Sequence, residues 1–246
     1  MRRRDLVSVV GAGGKTSLLY ALAGQARERG WTVLVTTTTH MGAMPGAPTG
    51  PLLVESEGAG EGDLERALAE HGLVTLLGRR IRPDKLQGLA RERVDALARR
   101  ADLVLVEADG ARGRSLKLPA HHEPVLPPAT SLLVVLAGLD VVGAPLDAGR
   151  VHRLEQVLEV CGREPGSAVD AELVRAVLAA PGGYLAHRAP RSRGVVLLNK
   201  EETPAASAAA EAVGPRLVPA WDRVVAGSAA RGSGRVVADA PGRLLS

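Results

Sequence analysis

The sequence predicts an α/β fold in three layers, a mainly parallel sheet flanked by helices. Short runs of Val and Leu recur along the chain, as in "TVLV", "LVLV", "LLVVLAG" and "GVVLL". Such runs suit strands covered on both faces. Between them lie segments whose apolar residues repeat at helical spacing. The chain has 246 residues, 46% of them hydrophobic, which is enough for a single domain spanning 1–246. With no Phe, its core is aliphatic.

In order, Val7–Val10 is a short buried strand, and Thr16–Arg29 reads as a helix ended by Gly30. "WTVLVTT" from Trp31 is a second strand. "PLLVES" and "VTLLGR" are shorter strands around a helix near Asp63–His71. "LQGLARERVDALARR" sets Leu86, Leu89, Val94 and Leu97 at helical spacing. "LVLVEADG", "SLLVVLAG" and "GVVLLNK" are further strands. Helices fit at Arg150–Val160, Asp170–Ala179 and Pro204–Ala212, and "RLVPA" reads as a late strand. The Pro/Gly-rich segment 42–51 reads as a loop on the same sheet edge as the glycine cluster described below.

Composition excludes several classes. One cysteine, Cys161, rules out an internal disulfide and a multi-cysteine metal cluster; in "LEQVLEVCG" it reads as a small core residue. No apolar run approaches the roughly 20 residues that span a bilayer, and the one behind "MRRRD" is too short for a signal peptide. A cytoplasmic protein with no membrane role is expected. The net charge is +4, but the arginines alternate with acids and no aromatic residues interleave with them, so nucleic acid is not an expected partner. Arg outnumbers Lys 27 to 4, and there is one Asn. Against that background Lys15, Lys85, Lys117, Lys200 and Asn199 stand out, because Arg does not replace Lys where a compact point charge is needed.

The most informative stretch is "LVSVVGAGGKTSLLYALA", residues 6–23. A strand, a glycine cluster with Lys-Thr-Ser, and a helix form the layout of a phosphate-binding loop. Glycines let backbone N–H groups face an anion, and the helix N-terminus adds partial positive charge. Gly11, Ala12, Gly13, Gly14, Lys15, Thr16 and Ser17 are therefore the expected nucleotide contacts. Lys15 would reach the β- and γ-phosphates and the Thr16 hydroxyl would ligate Mg²⁺. The full pattern has a glycine six residues before the lysine, where this chain has Val9.

A site of this kind needs a carboxylate on a neighbouring strand end. "LVLVEADG" supplies Glu107 and Asp109, with Glu107 expected to organise Mg²⁺ or water and Gly110 to offer its N–H to the γ-phosphate. In "TTTTHM", Thr38 or Thr39 is a second phosphate or Mg²⁺ contact, the rest of the run suiting strand geometry. "LLNKEE" sets Asn199 and Lys200 where guanine-reading Asn-Lys-x-Asp motifs stand, with Glu202 in place of Asp. The expected cofactors are Mg²⁺ and a nucleoside triphosphate, GTP or ATP.

Together "VVGAGGKTS", "TTTTHM", "VEADGARGRSLKLPAHHEPVLP", "AGLD", "VHR", "APGGYLAH" and "LLNKEE" resemble the YqeC family, accessory proteins of selenium-dependent molybdenum hydroxylases. The resemblance implies a P-loop NTPase-like protein that helps mature a selenium- and molybdenum-containing cofactor, with the enzymes of that maturation as partners. More distantly, Glu107–Gly110 and Asn199-Lys200 look like GTPases that load metal centres. "GRSLKLPAHHEPVLP" holds Lys117, His122 and Glu123 between prolines, His122-Glu123 matching the family's His-Glu-Pro. With Arg153 of "VHR", these are candidate substrate or partner contacts. Two other readings stay open. The loop also resembles Mur-type amide ligases, which would make the chain a ligase or small-molecule phosphotransferase, and nucleotide could serve a non-hydrolysing scaffold. Whether the chain pairs as a homodimer is open.

Overall fold

A computed structural model describes residues 1–42, 50–218 and 220–241. The chain forms two compact units from interleaved segments. The first is Met1–Val9, Thr16–Gly110 and Val125–Leu132, and the second is Val10–Lys15, Ala111–Pro124 and Leu133–Ser246.

Wholly or mostly in the first unit are β1 (Asp5–Gly11), α1 (Lys15–Glu28), β2 (Val33–Thr37), β3 (His40–Gly42), β4 (Leu52–Val54), α2 (Glu61–His71), β5 (Leu73–Leu77), β6 (Arg79–Arg82), β7 (Lys85–Gln87), α3 (Arg91–Leu97) and β8 (Leu103–Glu107). Its main strands are all parallel, in the order β4-β5-β2-β8-β1. Every residue of β1, β2 and β5 is buried, as is all of β8 but Glu107. Covering on both faces explains why these strands read as unbroken apolar runs. The register sets Val9 and Thr37 opposite Glu107.

The segment expected as one helix over Leu86–Leu97 divides. Leu86 lies in β7, part of a small antiparallel sheet ordered β3-β7-β6, and the helix starts only at Arg91. The N–H groups of Gly88 and Leu89 donate to the carbonyls of Thr39 and Thr37, which holds this stretch extended. Leu86 and Leu89 are buried all the same, so their spacing reported burial rather than a helix. Of the expected loop at 42–51, residues 43–49 lie outside the described residues.

The second unit carries β9 (Leu116–Lys117), β10 (Leu132–Gly138), β11 (Val151–His152), α4 (Leu154–Cys161), α5 (Ala171–Ala179), β12 (Arg193–Asn199), α6 (Pro204–Leu217), β13 (Arg223–Ser228) and β14 (Ser233–Asp239). Four strands follow the order β10-β12-β13-β14, with β12 and β13 parallel and β14 antiparallel. The short β9 and β11 pair separately and in parallel.

Three expectations change here. Val151 and His152, expected in a helix from Arg150, are in β11; Arg153 then turns at φ 62 and α4 begins at Leu154. Arg216 and Leu217, expected in a late strand, end α6. That helix starts with the Thr203 hydroxyl accepting from the Ala206 N–H and Pro204 in the first turn, and it buries Val213 and Leu217. Cys161 is half-buried rather than in the core, and burial pushes its thiol up. No helix among the described residues is long and apolar enough to cross a membrane.

Candidate functional site

The glycine loop follows β1. Gly11, Gly13 and Gly14 all have positive φ, at 94°, 85° and 118°. A Cβ on Gly13 would overlap the backbone of Gly138, and one on Gly14 the amide of Asn199. Only glycine fits these turns. The N–H groups of Ala12 and Gly13 donate to the carbonyls of Leu136 and Arg114, each at 2.9 Å. These two residues therefore shape the loop, and the N–H groups that lack helical acceptors are those of the first turn of α1. The Lys15 side chain folds back over the loop, its Nζ donating to Gly11 O at 2.8 Å from a buried position. Ser17 is exposed.

In the first unit, the Thr16 hydroxyl donates to Oε2 of Glu107 at 3.0 Å. Main-chain contacts fix the end of β8. The Thr37 hydroxyl and the Thr38 N–H both donate to Glu107 O, at 2.6 and 3.1 Å. The Thr38 hydroxyl donates to Val125 O at 2.7 Å, and the Thr39 N–H donates to the Thr37 hydroxyl at 3.1 Å. Thr36 and Thr37 are buried, while Thr38 and Thr39 are partly open. Asp109 is fully buried. Gly110 has open space where a side chain would stand. Tyr20 was not legible as part of this group. Four residues after Thr16 on α1, it shares that helix face, and burial with the charge of Glu107 pushes its hydroxyl up.

In the second unit, the single asparagine braces the loop. Asn199 Nδ2 donates to Gly13 O at 2.6 Å, and its Oδ1 accepts from the Ala229 N–H at 2.8 Å. Lys200, at φ 60, donates to the Ser115 hydroxyl and to Asp140 Oδ2, both at 2.8 Å. Glu202 accepts from the Ser228 hydroxyl at 2.9 Å. A cavity of about 280 Å³ beside these residues is lined by Glu201, Ser228, Arg231 and Arg235, among others. The "AGLD" segment gains a role through Asp140, and Ser115 joins the group without an earlier signal.

Also in the second unit, the "LPAHHEP" stretch contracts into an ion cluster. The wholly buried Lys117 ammonium lies 2.9 Å from Glu123 Oε2, and Arg153 Nη2 lies 3.0 Å from the same oxygen. Burial works against the Glu123 charge, but Lys117 and Arg153 outweigh it and pull the carboxyl down to about 2. His122 stands apart, exposed and edge-to-face with His121 at 5.0 Å.

The family model described as YqeC protein matches residues 7–155. The "Uncharacterized protein YqeC" of Escherichia coli (strain K12) is 32% identical over 207 residues, covering 81% of this chain and 77% of that protein. The matched span holds the glycine loop, the threonine run, the Glu107 strand end and the Lys117–Glu123–Arg153 cluster; the chain belongs to the YqeC family.

Proposed function

We propose that this protein is a P-loop NTPase-like enzyme that binds and hydrolyses a Mg²⁺–nucleoside triphosphate, GTP or ATP. The observation that carries this reading is the Thr16–Glu107 pair directly after the Lys15 glycine loop. Two oxygens bound side by side to Mg²⁺ at about 2.1 Å stand close to 3 Å apart, and the Thr16 and Glu107 oxygens are 3.0 Å apart. Their donor set, a hydroxyl and a carboxylate, is the hard oxygen chemistry Mg²⁺ prefers, with phosphate and water completing its shell.

Each residue then has a defined task. Lys15 exchanges the Gly11 carbonyl for phosphate oxygens and offsets charge as the terminal phosphoryl group departs. Mg²⁺, if held by Thr16 and Glu107, would supply charge neutralisation at the phosphates. Glu107 would orient the attacking water, and Thr37 and Thr38 hold its backbone in place. Asn199 keeps Gly13 in its turn, and Glu202 would read the base. The role we propose with it, the one the sequence resemblance implies, is that of a cytoplasmic accessory factor in maturing a selenium-dependent molybdenum hydroxylase cofactor, with the enzymes of that maturation as partners.

The test is phosphate release from GTP and ATP with and without Mg²⁺, with and without candidate partner enzymes. Mg²⁺-dependent release of free phosphate supports the reading. A new phosphorylated or amide product would make the chain a transferase or ligase instead, and binding without turnover would make it a scaffold.

A further inference from the structure

We propose that Arg153, with Lys117, His152 and Gln156, forms a second anion site in this protein, separate from the nucleotide phosphates, for a small oxyanion of the phosphate class. The site lies in the second unit, on β9, β11 and the start of α4. The parallel register sets His152 beside Lys117, and Arg153 follows at once.

Arg153 carries most of the argument. Its guanidinium has five N–H donors in a rigid fork that suits paired contacts to an oxyanion. Here its Nη2 meets Glu123, and its Nε is buried with no hydrogen bond. Leaving a buried charged donor unsatisfied is costly, so such an atom marks a place where a ligand belongs. Three residues on, Gln156 Oε1 is likewise buried with no hydrogen bond. A donor and an acceptor left open on one helix start suit an anion that still bears a proton, as phosphate does near neutral pH.

Backbone and charge agree with this. Arg153 is held at φ 62, a region that costs a non-glycine residue energy and that gathers at functional sites. Burial, together with the charges of Lys117, Arg153 and Arg112, disfavours the proton on His152, against Glu123 alone in the other direction. Positive potential thus prevails at His152. Arg153 is partly open to solvent, with 27% of its side chain exposed, so a small anion can reach it. The neighbouring Arg114 carbonyl accepts the Gly13 N–H, which ties this segment to the glycine loop within the same unit. An oxyanion bound here would be a second substrate or a product of the chemistry at the loop, a role that rests on the nucleotide reading; the binding itself does not.

The test is calorimetric titration of inorganic phosphate into the Lys15→Ala protein, whose loop is disabled, and into Lys15→Ala with Arg153→Gln. The expected result is one phosphate-binding event in the first and affinity lower by roughly tenfold or more in the second. No binding to Lys15→Ala, or equal binding by both, would overturn the proposal. If the Arg153 variant does not fold, Lys15→Ala with the near-isosteric Gln156→Glu decides. It adds a negative charge three residues along the chain from Arg153 and should weaken phosphate to the same degree, and unchanged affinity would be fatal. A separate titration of wild type and Lys15→Ala with a slowly hydrolysed nucleotide tests the loop, so the two readings fail independently.

Discussion

The Thr16 hydroxyl donates to Oε2 of Glu107 across 3.0 Å, joining the first turn of α1 to the end of β8 within the first unit. That carboxylate is half-buried, and its own carbonyl is held by Thr37 and Thr38. It is therefore fixed before any substrate arrives, the condition for electrostatic catalysis without reorganisation.

Glu107→Gln keeps the shape and the hydrogen bond but removes the charge. We expect kcat for nucleotide hydrolysis to fall by roughly a hundredfold, the scale of one lost preorganised contact in the transition state, while nucleotide affinity stays within a few fold. Steady-state kinetics with a binding titration reads both. A variant turning over at the wild-type rate would remove Glu107 from the chemistry.

Asn199→Ala removes two buried hydrogen bonds at once, to Gly13 and to Ala229. The partners are left buried and unsatisfied, at about 1–3 kcal/mol each. Urea denaturation should show stability lower by about 2 kcal/mol or more, together with weaker nucleotide binding because Gly13 loses its brace. Unchanged stability would mean the loop holds its turn without Asn199.

Much of this was legible beforehand. The strand, glycine turn and helix around Lys15 and Thr16 were readable because they leave a mark in consecutive residues, and the buried strands because parallel sheets read as apolar runs. Contacts between distant residues were not. Asn199 read as a base contact, and its bond to Gly13, 186 residues away, appears only once the chain is folded. Lys117, Glu123 and Arg153 were picked singly, and nothing in their spacing showed that they meet at one carboxylate oxygen. Leu86 and Leu89 misled for a simpler reason: an extended segment with two buried side chains can match helical spacing by chance.

Glu123 gives the protein an acid-sensitive element. Its folded-state carboxyl titrates at about 2, against an ordinary value of 4.5. A carboxylate with a depressed folded pKa stabilises the native state above its unfolded pKa, and the contribution fades as pH falls toward the folded value. The window is therefore about pH 5 to pH 2, with a contribution of about 3 kcal/mol at its upper end. Wild type should lose its stability advantage over Glu123→Gln across that window. Thermal unfolding at several pH values measures it, and parallel curves for the two proteins would show that Lys117 and Arg153 do not hold the carboxylate.

For the base, the account expects GTP to outcompete ATP. Glu202 uses one oxygen on the Ser228 hydroxyl, and its other can accept from guanine, whereas adenine leaves that charge unmatched. Glu202 is exposed, so this contact is worth an ordinary net hydrogen bond of about 0.5–1.5 kcal/mol, a preference of roughly two- to tenfold. Competition of unlabelled GTP, ATP and CTP against one labelled analogue reads the order. Equal competition by GTP and ATP would remove Asn199 and Glu202 from base recognition.

The central claim is that the loop around Lys15 binds nucleotide phosphates. Titration calorimetry of wild type and Lys15→Ala with a slowly hydrolysed triphosphate, in the presence of Mg²⁺, tests it most directly. Lys15 is buried over its own loop, with its ammonium on the Gly11 carbonyl. Losing its charge-assisted contact should weaken binding by about 1.5–3 kcal/mol, roughly 10- to 150-fold. Tight binding by wild type with that loss in the variant is the predicted result. Equal affinity in the two proteins, or no binding by either, would contradict the account.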